Sequence, residues 1–141
     1  MAEAIARRDA ADIIEPSSAG LAPLGFVSDL TKSTLAANGY SIDELQSKPI
    51  SPEAWKGADI IINMSGRPRE MAFRDYAKVE DWEIQDPYGD PEIYPRTFEK
   101  IRQRLAVLAS RLKRNTVLDS HQQPVAQQTR GIKRDVPGDL V

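Results

Sequence analysis

The residues with most chemistry to offer lie in one loop, QDPYGDPEIYP, at positions 85–95. Asp86 stands directly before Pro87, whose ring keeps the preceding residue extended and out of any helix. Tyr88 adds an aromatic ring, and Gly89 follows it. A carboxyl group on a stiffened loop, beside an aromatic wall, suits a general acid serving an aromatic or phosphate leaving group. The same dipeptides, Asp-Pro and Tyr-Gly, are also ordinary turn material. The loop taken alone leaves both readings open.

Composition removes other chemistries. The 141 residues contain no cysteine, which excludes disulfides, thiolate metal sites and a cysteine nucleophile within them. A single histidine, His121, excludes a multi-histidine metal centre, and no metal or other cofactor is expected. The formal charge of −2 gives no strong pull toward nucleic acid or an acidic membrane surface. No apolar run approaches the roughly 20 residues that span a bilayer, and no signal peptide is evident, so a cytoplasmic protein is expected. At 40% hydrophobic and 28% charged residues the chain has the balance of a soluble globular protein. Its length suits one domain with a real core.

The elements that must carry the loop follow from the pattern. MAEAIARRDAA reads as helix from its first residue, without a preceding cap. Ile13 and Ile14 suggest a short strand, ended by the turn SSAG. Ser28 or Asp29 can cap a helix through LTKSTLAA, and Gly39 supplies the positive φ that stops it. SIDELQSKPI is a short connection or strand. Ser51 and Pro52 open another helix. ADIIINM, residues 58–64, is the clearest strand, a β-branched run suited to burial on both faces. RPREMAFRDYA, residues 67–77, is expected to be helical, and VEDWEIQD to be a strand. Phe98, Ile101, Leu105, Leu108 and Leu112 recur at steps of three and four, one apolar stripe on a long helix. Its basic residues read as a solvated face. After Arg114 the pattern dissolves, so residues 1–114 are expected to form the domain and 115–141 a polar tail.

Alternating helices and buried strands predict a single three-layer α/β domain with a mostly parallel sheet. Such sheets place their sites beyond the carboxyl ends of the strands. The residues there are the SSAG turn, Asn63 to Gly66, and the loop bearing Asp86.

The order MAEAIAR, SSAG, SKPIS, ADIIINM, DPYGDP and FEKIRQRLAVL resembles the low-molecular-weight protein tyrosine phosphatases and the related thioredoxin-coupled arsenate reductases, over about residues 1–112. The resemblance implies hydrolysis of phosphotyrosine or other aryl phosphomonoesters through a phosphocysteine. It matches Asp86 to the general acid, Tyr88 to an aromatic lining the cleft, and Ser18 to a serine that supports the phosphate loop. It also implies a first strand and a Cys-x5-Arg-Ser loop ahead of the MAEA helix. Amides and the helix N-terminus of that loop hold the phosphate and keep the cysteine as thiolate, while the arginine clamps two oxygens. The 141 residues begin where that loop ends. The chain is therefore expected to lack its first central strand, its nucleophile and its arginine, and to be inactive as it stands. Two positions depart from the phosphatase pattern: Leu45, where a histidine is frequent, and Ser65, where an aspartate is. Arsenate reductases need relay cysteines, which favours the phosphatase branch.

Two readings remain. In one, a longer gene product is a phosphatase acting on a phosphotyrosyl protein or a small phosphomonoester. In the other, the chain is a non-catalytic remnant with an interaction or structural role. A missing central strand would expose a sheet edge open to self-association. The stretch NTVLD, residues 115–119, has the β character to fill that gap.

Overall fold

A computed structural model describes residues 1–122 and 136–140. The elements run α1 (Ala2–Asp9), β1 (Ile14–Ser18), α2 (Asp29–Ala37), α3 (Pro52–Gly57), β2 (Ile60–Asn63), α4 (Arg69–Ala72), β3 (Val79–Asp81), α5 (Tyr94–Gln122) and β4 (Val136–Leu140). The sheet has the order β1-β4-β2-β3, and every neighbouring pair is parallel. This is the three-layer α/β arrangement expected.

One face of the sheet is covered by α1 and α5. Ile5 and Ala6 of α1 pack with Ile14, Ile62, Ile101, Leu105 and Leu108 in the larger core. Leu35 of α2 joins the same core, and Tyr40 meets Phe98 edge-on with ring centres 5.7 Å apart. On the other face Ile61, Ala58, Phe73 and Val79 form a second cluster, with Trp55 of α3 stacked on Phe73 at 5.1 Å. Ile61 and Ile62 are 1% and 0% exposed, one in each cluster. Strand side chains alternate between faces, so covering both faces demands an unbroken apolar run.

Local signals set several boundaries. The Ser51 hydroxyl accepts the Ala54 amide at 3.1 Å, capping α3, and Pro52 takes its first position. Gly39, at φ 80°, closes α2: its amide donates to the Ala36 carbonyl, and the Tyr40 amide to that of Leu35. Ser28 occupies the cap position of α2, yet its hydroxyl pairs with the Tyr94 hydroxyl at 3.0 Å instead of a helix amide.

Four elements differ from expectation, the first being the strand expected over VEDWEIQD, which is only Val79–Asp81. The helix expected over 67–77 is only Arg69–Ala72, because Phe73 turns to extended backbone and buries its ring in the second cluster. Helix α5 continues past Arg114 to Gln122, so 115–119 are helical. No glycine or proline interrupts residues 96–123, and an existing helix propagates cheaply. The strand between β1 and β2 is instead built from residues 136–140, VPGDL, which carry no strand pattern.

Arg111 ties α5 to β3. Its guanidinium donates to Glu80 at 2.6 and 3.5 Å, and the Trp82 indole donates to the same carboxylate at 3.0 Å. Burial pulls the Glu80 carboxyl up, but the donors Arg111 and Trp82, with the charges of Arg111 and Arg104, outweigh it and hold it below the ordinary value. A depressed carboxylate stabilises the fold above its unfolded pKa, about 4.3, and that contribution disappears as pH falls through the lower folded value. Both partners are over a third exposed, so the pair contributes about 1 kcal/mol or less. Arg111→Met is expected to lower Tm by about 2–5 °C at pH 7. Urea melts at pH 7 and pH 3 check the cause: the gap between variant and parent should close at the lower pH.

Candidate active site

A cavity of about 560 Å³ opens at the carboxyl ends of the strands. Its walls are the first turn of α1, the residues after β1, the loop after β2, and the segment from Ile84 to Tyr88. Ser18, Asp86 and Tyr88 all line it.

Asp86 is held by its own turn. Its Oδ1 accepts the Tyr88 amide at 3.0 Å, and the Asp90 amide donates to the Pro87 carbonyl at 2.9 Å. Gly89 takes the third position of that turn with φ 80°, a conformation that favours glycine. The Thr97 hydroxyl donates to the Gln85 carbonyl at 3.1 Å and pins the loop to α5. Thr97 is itself buried, so the anchor is firm. Asp86 is exposed at the rim, and Tyr88 leaves 57% of its surface to solvent. The ring is thereby available to cover a bound group.

Ser18, at the end of β1, donates to Glu3 Oε2 at 2.6 Å. Arg7 donates to the other oxygen of Glu3 at 2.8 Å, and Glu3 is only 7% exposed. A carboxyl group is buried at tolerable cost only when it is hydrogen-bonded in this way. Glu3 thus joins α1 to Ser18 of the cavity wall at the end of β1. Sequence reasoning did not single it out, although a lone acid on the apolar side of an alanine-rich turn was a signal.

Two further groups emerge only in three dimensions. The Tyr94 hydroxyl lies 3.0 Å from Ser28 and accepts from Thr31 at 3.3 Å, and all three residues line the cavity. Asn63, 2% exposed, donates to Asp81 at 2.8 Å and to the Arg67 carbonyl at 2.7 Å, while its oxygen accepts the Ser65 hydroxyl at 2.6 Å. That network shapes the loop after β2 and engages Ser65. Leu45 instead packs against the larger core.

Lys48 and Asp86 are the only charged side chains among the described lining residues. The remainder is hydroxyl-rich and apolar. Such a cavity can hydrogen-bond an oxyanion and offer it a proton from Asp86. It holds no thiol, because the 141 residues contain no cysteine, and no guanidinium lines it among the described residues.

The family model for low molecular weight phosphotyrosine protein phosphatase matches residues 1–118. No curated protein and no solved structure matches the chain. The matched span contains α1, β1, β2 and the Asp86 loop, hence every described wall of the cavity. The chain belongs to the low molecular weight phosphotyrosine protein phosphatase family.

Proposed function

We propose that these residues form the acid-donating side of a phosphomonoesterase site, and that the 141-residue chain alone does not hydrolyse phosphomonoesters. The observation that carries this reading is the meeting of Asp86, Tyr88 and Ser18 on one cavity beside the first turn of α1. In the completed family reaction a cysteine thiolate ahead of α1 attacks phosphorus and the bond to the leaving oxygen breaks. Asp86 delivers the proton that oxygen needs, and Tyr88 walls the aromatic leaving group. The phosphocysteine is then hydrolysed. The substrate class is a phosphotyrosyl protein or a small aryl phosphomonoester.

A second reading, a non-catalytic interaction protein, has one observation in its favour. Strand β4 occupies the central place in the sheet, where the strand leading into a cysteine loop would have to lie.

The role of Asp86 is tested by joining a strand and a Cys-x5-Arg-Ser loop ahead of Met1 and comparing two esters. Asp86→Ala is expected to cost roughly 10²–10⁴ in turnover of phenyl phosphate, whose leaving group needs the proton. The loss on p-nitrophenyl phosphate should be far smaller. Equal losses on both esters would remove Asp86 from the role of acid.

A further inference from the structure

Helix α5 is strongly basic in a chain whose formal charge is −2. Between Tyr94 and Val117 its only acidic residue is Glu99. Arg96, Lys100, Arg104, Val107, Arg111 and Arg114 follow one another at steps of three and four, so they share one side of the helix. At 1.5 Å per residue the row is about 27 Å long. Its members are exposed except Arg111, which is half-buried against Glu80. Val107, at the middle of the row, leaves 65% of its surface to solvent. The other cations, Arg102 and Lys113, lie on a different side and pair with Glu99 and Asp12, each at 2.9 Å.

An ordinary solvated helix face is not built this way. Opposite charges at i and i+4 stabilise a helix, whereas Arg96, Lys100 and Arg104 set like charges at that spacing twice. Arg96 stands in the first turn, where the helix dipole disfavours a cation and no acidic residue offsets it. The helix continues to Gln122, so Arg111 and Arg114 are not in the last turn, where a cation would be favoured. Among the described residues Arg96, Lys100, Arg104 and Arg114 make no ion pair, although the Glu80 charge is felt at Arg104. The row therefore works against the helix that carries it. Natural sequences break local rules of this kind at functional sites.

We propose that this side of α5 docks an acidic helix of another protein, with carboxylates at four-residue steps and an apolar side chain against Val107. Two helices lying side by side share one rise per residue, so carboxylates at i and i+4 meet the cations in register. Charged flanks pair in this manner along coiled coils. Charge complementarity alone would also admit nucleic acid or an anionic membrane, but the row suits neither. It has no aromatic ring on which a base could stack, and the net charge of −2 repels a wide polyanion. Val107 is its one apolar residue, too little to enter a bilayer. The chain's own segment 123–135 is no match either, having Arg130, Lys133 and Arg134 against one acid, Asp135. No residue of the row lines the cavity of Asp86, so the inference stands or falls apart from the phosphatase reading.

The probe is a fluorescein-labelled, alanine-rich helical peptide of about 20 residues, with glutamates at four-residue steps along one side and a central leucine. Titrated against the full chain by anisotropy at low ionic strength, it should bind saturably, and roughly tenfold more weakly at about 0.3 M salt. A peptide of the same composition with its glutamates spread round the helix should bind about tenfold more weakly. Arg96→Gln with Lys100→Gln should weaken capture about tenfold and leave Tm unchanged or higher, since it removes a like-charge pair. Arg102→Gln with Lys113→Gln, an equal loss of charge on another side of α5, should leave capture within about threefold of the parent. Absence of saturable binding at millimolar peptide, equal binding of the scrambled peptide, or equal losses from the two double variants would each overturn the inference. Tighter binding of a single-stranded RNA or of phosphatidylserine vesicles, abolished by Arg96→Gln with Lys100→Gln, would overturn it too and assign the row to nucleic acid or membrane.

Discussion

The 141-residue chain is expected to release phosphate from p-nitrophenyl phosphate no faster than buffer. The same chain carrying a strand and a Cys-x5-Arg-Ser loop ahead of Met1 is expected to exceed the uncatalysed rate by about a millionfold or more, as enzymes ordinarily do. The contrast follows from what the cavity holds. Asp86 can give a proton, a contribution of roughly 10²–10⁴ at most. Nothing in the described lining can attack phosphorus as a thiolate does, and Lys48 is the only cationic side chain among the described lining residues. Steady-state phosphate release from both proteins measures the difference. Activity in the chain as it stands, lost on Asp86→Asn, would reveal a nucleophile not identified above. An extended chain that folds and stays silent would leave the non-catalytic reading in possession.

The second large effect concerns stability. A chain ending at residue 135 is expected to lose several kcal/mol from a margin of about 5–15, and to self-associate at concentrations where the full chain does not. Strand β4 is a poor central strand, but an empty place is worse. Removing it strands the backbone donors and acceptors that β1 and β2 now direct toward residues 136–140. It also leaves two parallel edges facing each other across a strand's width, a template for pairing with other chains. Differential scanning calorimetry gives the drop in Tm, and sedimentation velocity the oligomers. An unchanged, monomeric, cooperative melt would mean that β1 and β2 close on each other and that β4 contributes little. In the full chain Pro137→Val, which puts a residue of high β propensity in place of a proline inside the sheet, is expected to raise Tm.

The turn that carries Asp86 in the candidate site was legible before its geometry. The turn character of Asp86 to Gly89 and its place after a strand near the carboxyl end of the sheet are local properties. The structure realises the turn with the Gly89 φ of 80° and the Tyr88 amide bonded to Asp86. The partners of these residues were not legible. Ser18 meets Glu3 across 15 positions, and Tyr94 meets Ser28 across 66. A hydroxyl pair of that separation leaves no trace in spacing or periodicity, because either residue alone is an ordinary turn, cap or helix residue.

The sequence by itself determined the elements whose burial is periodic. Ile60 to Ile62 make a strand covered on both faces, and Phe98, Ile101, Leu105, Leu108 and Leu112 are all buried along one side of α5. In these segments the spacing of apolar residues is itself the signal, since 2.0 and 3.6 residue periods place them on one face. The closing of the sheet was decided only by tertiary structure. VPGDL has neither alternation nor β propensity, and NTVLD, which has more of both, lies in the helix α5. What recruits residues 136–140 is the pair of facing edges on β1 and β2. Unmade backbone hydrogen bonds in a covered sheet cost more than a proline and a glycine in the strand that makes them.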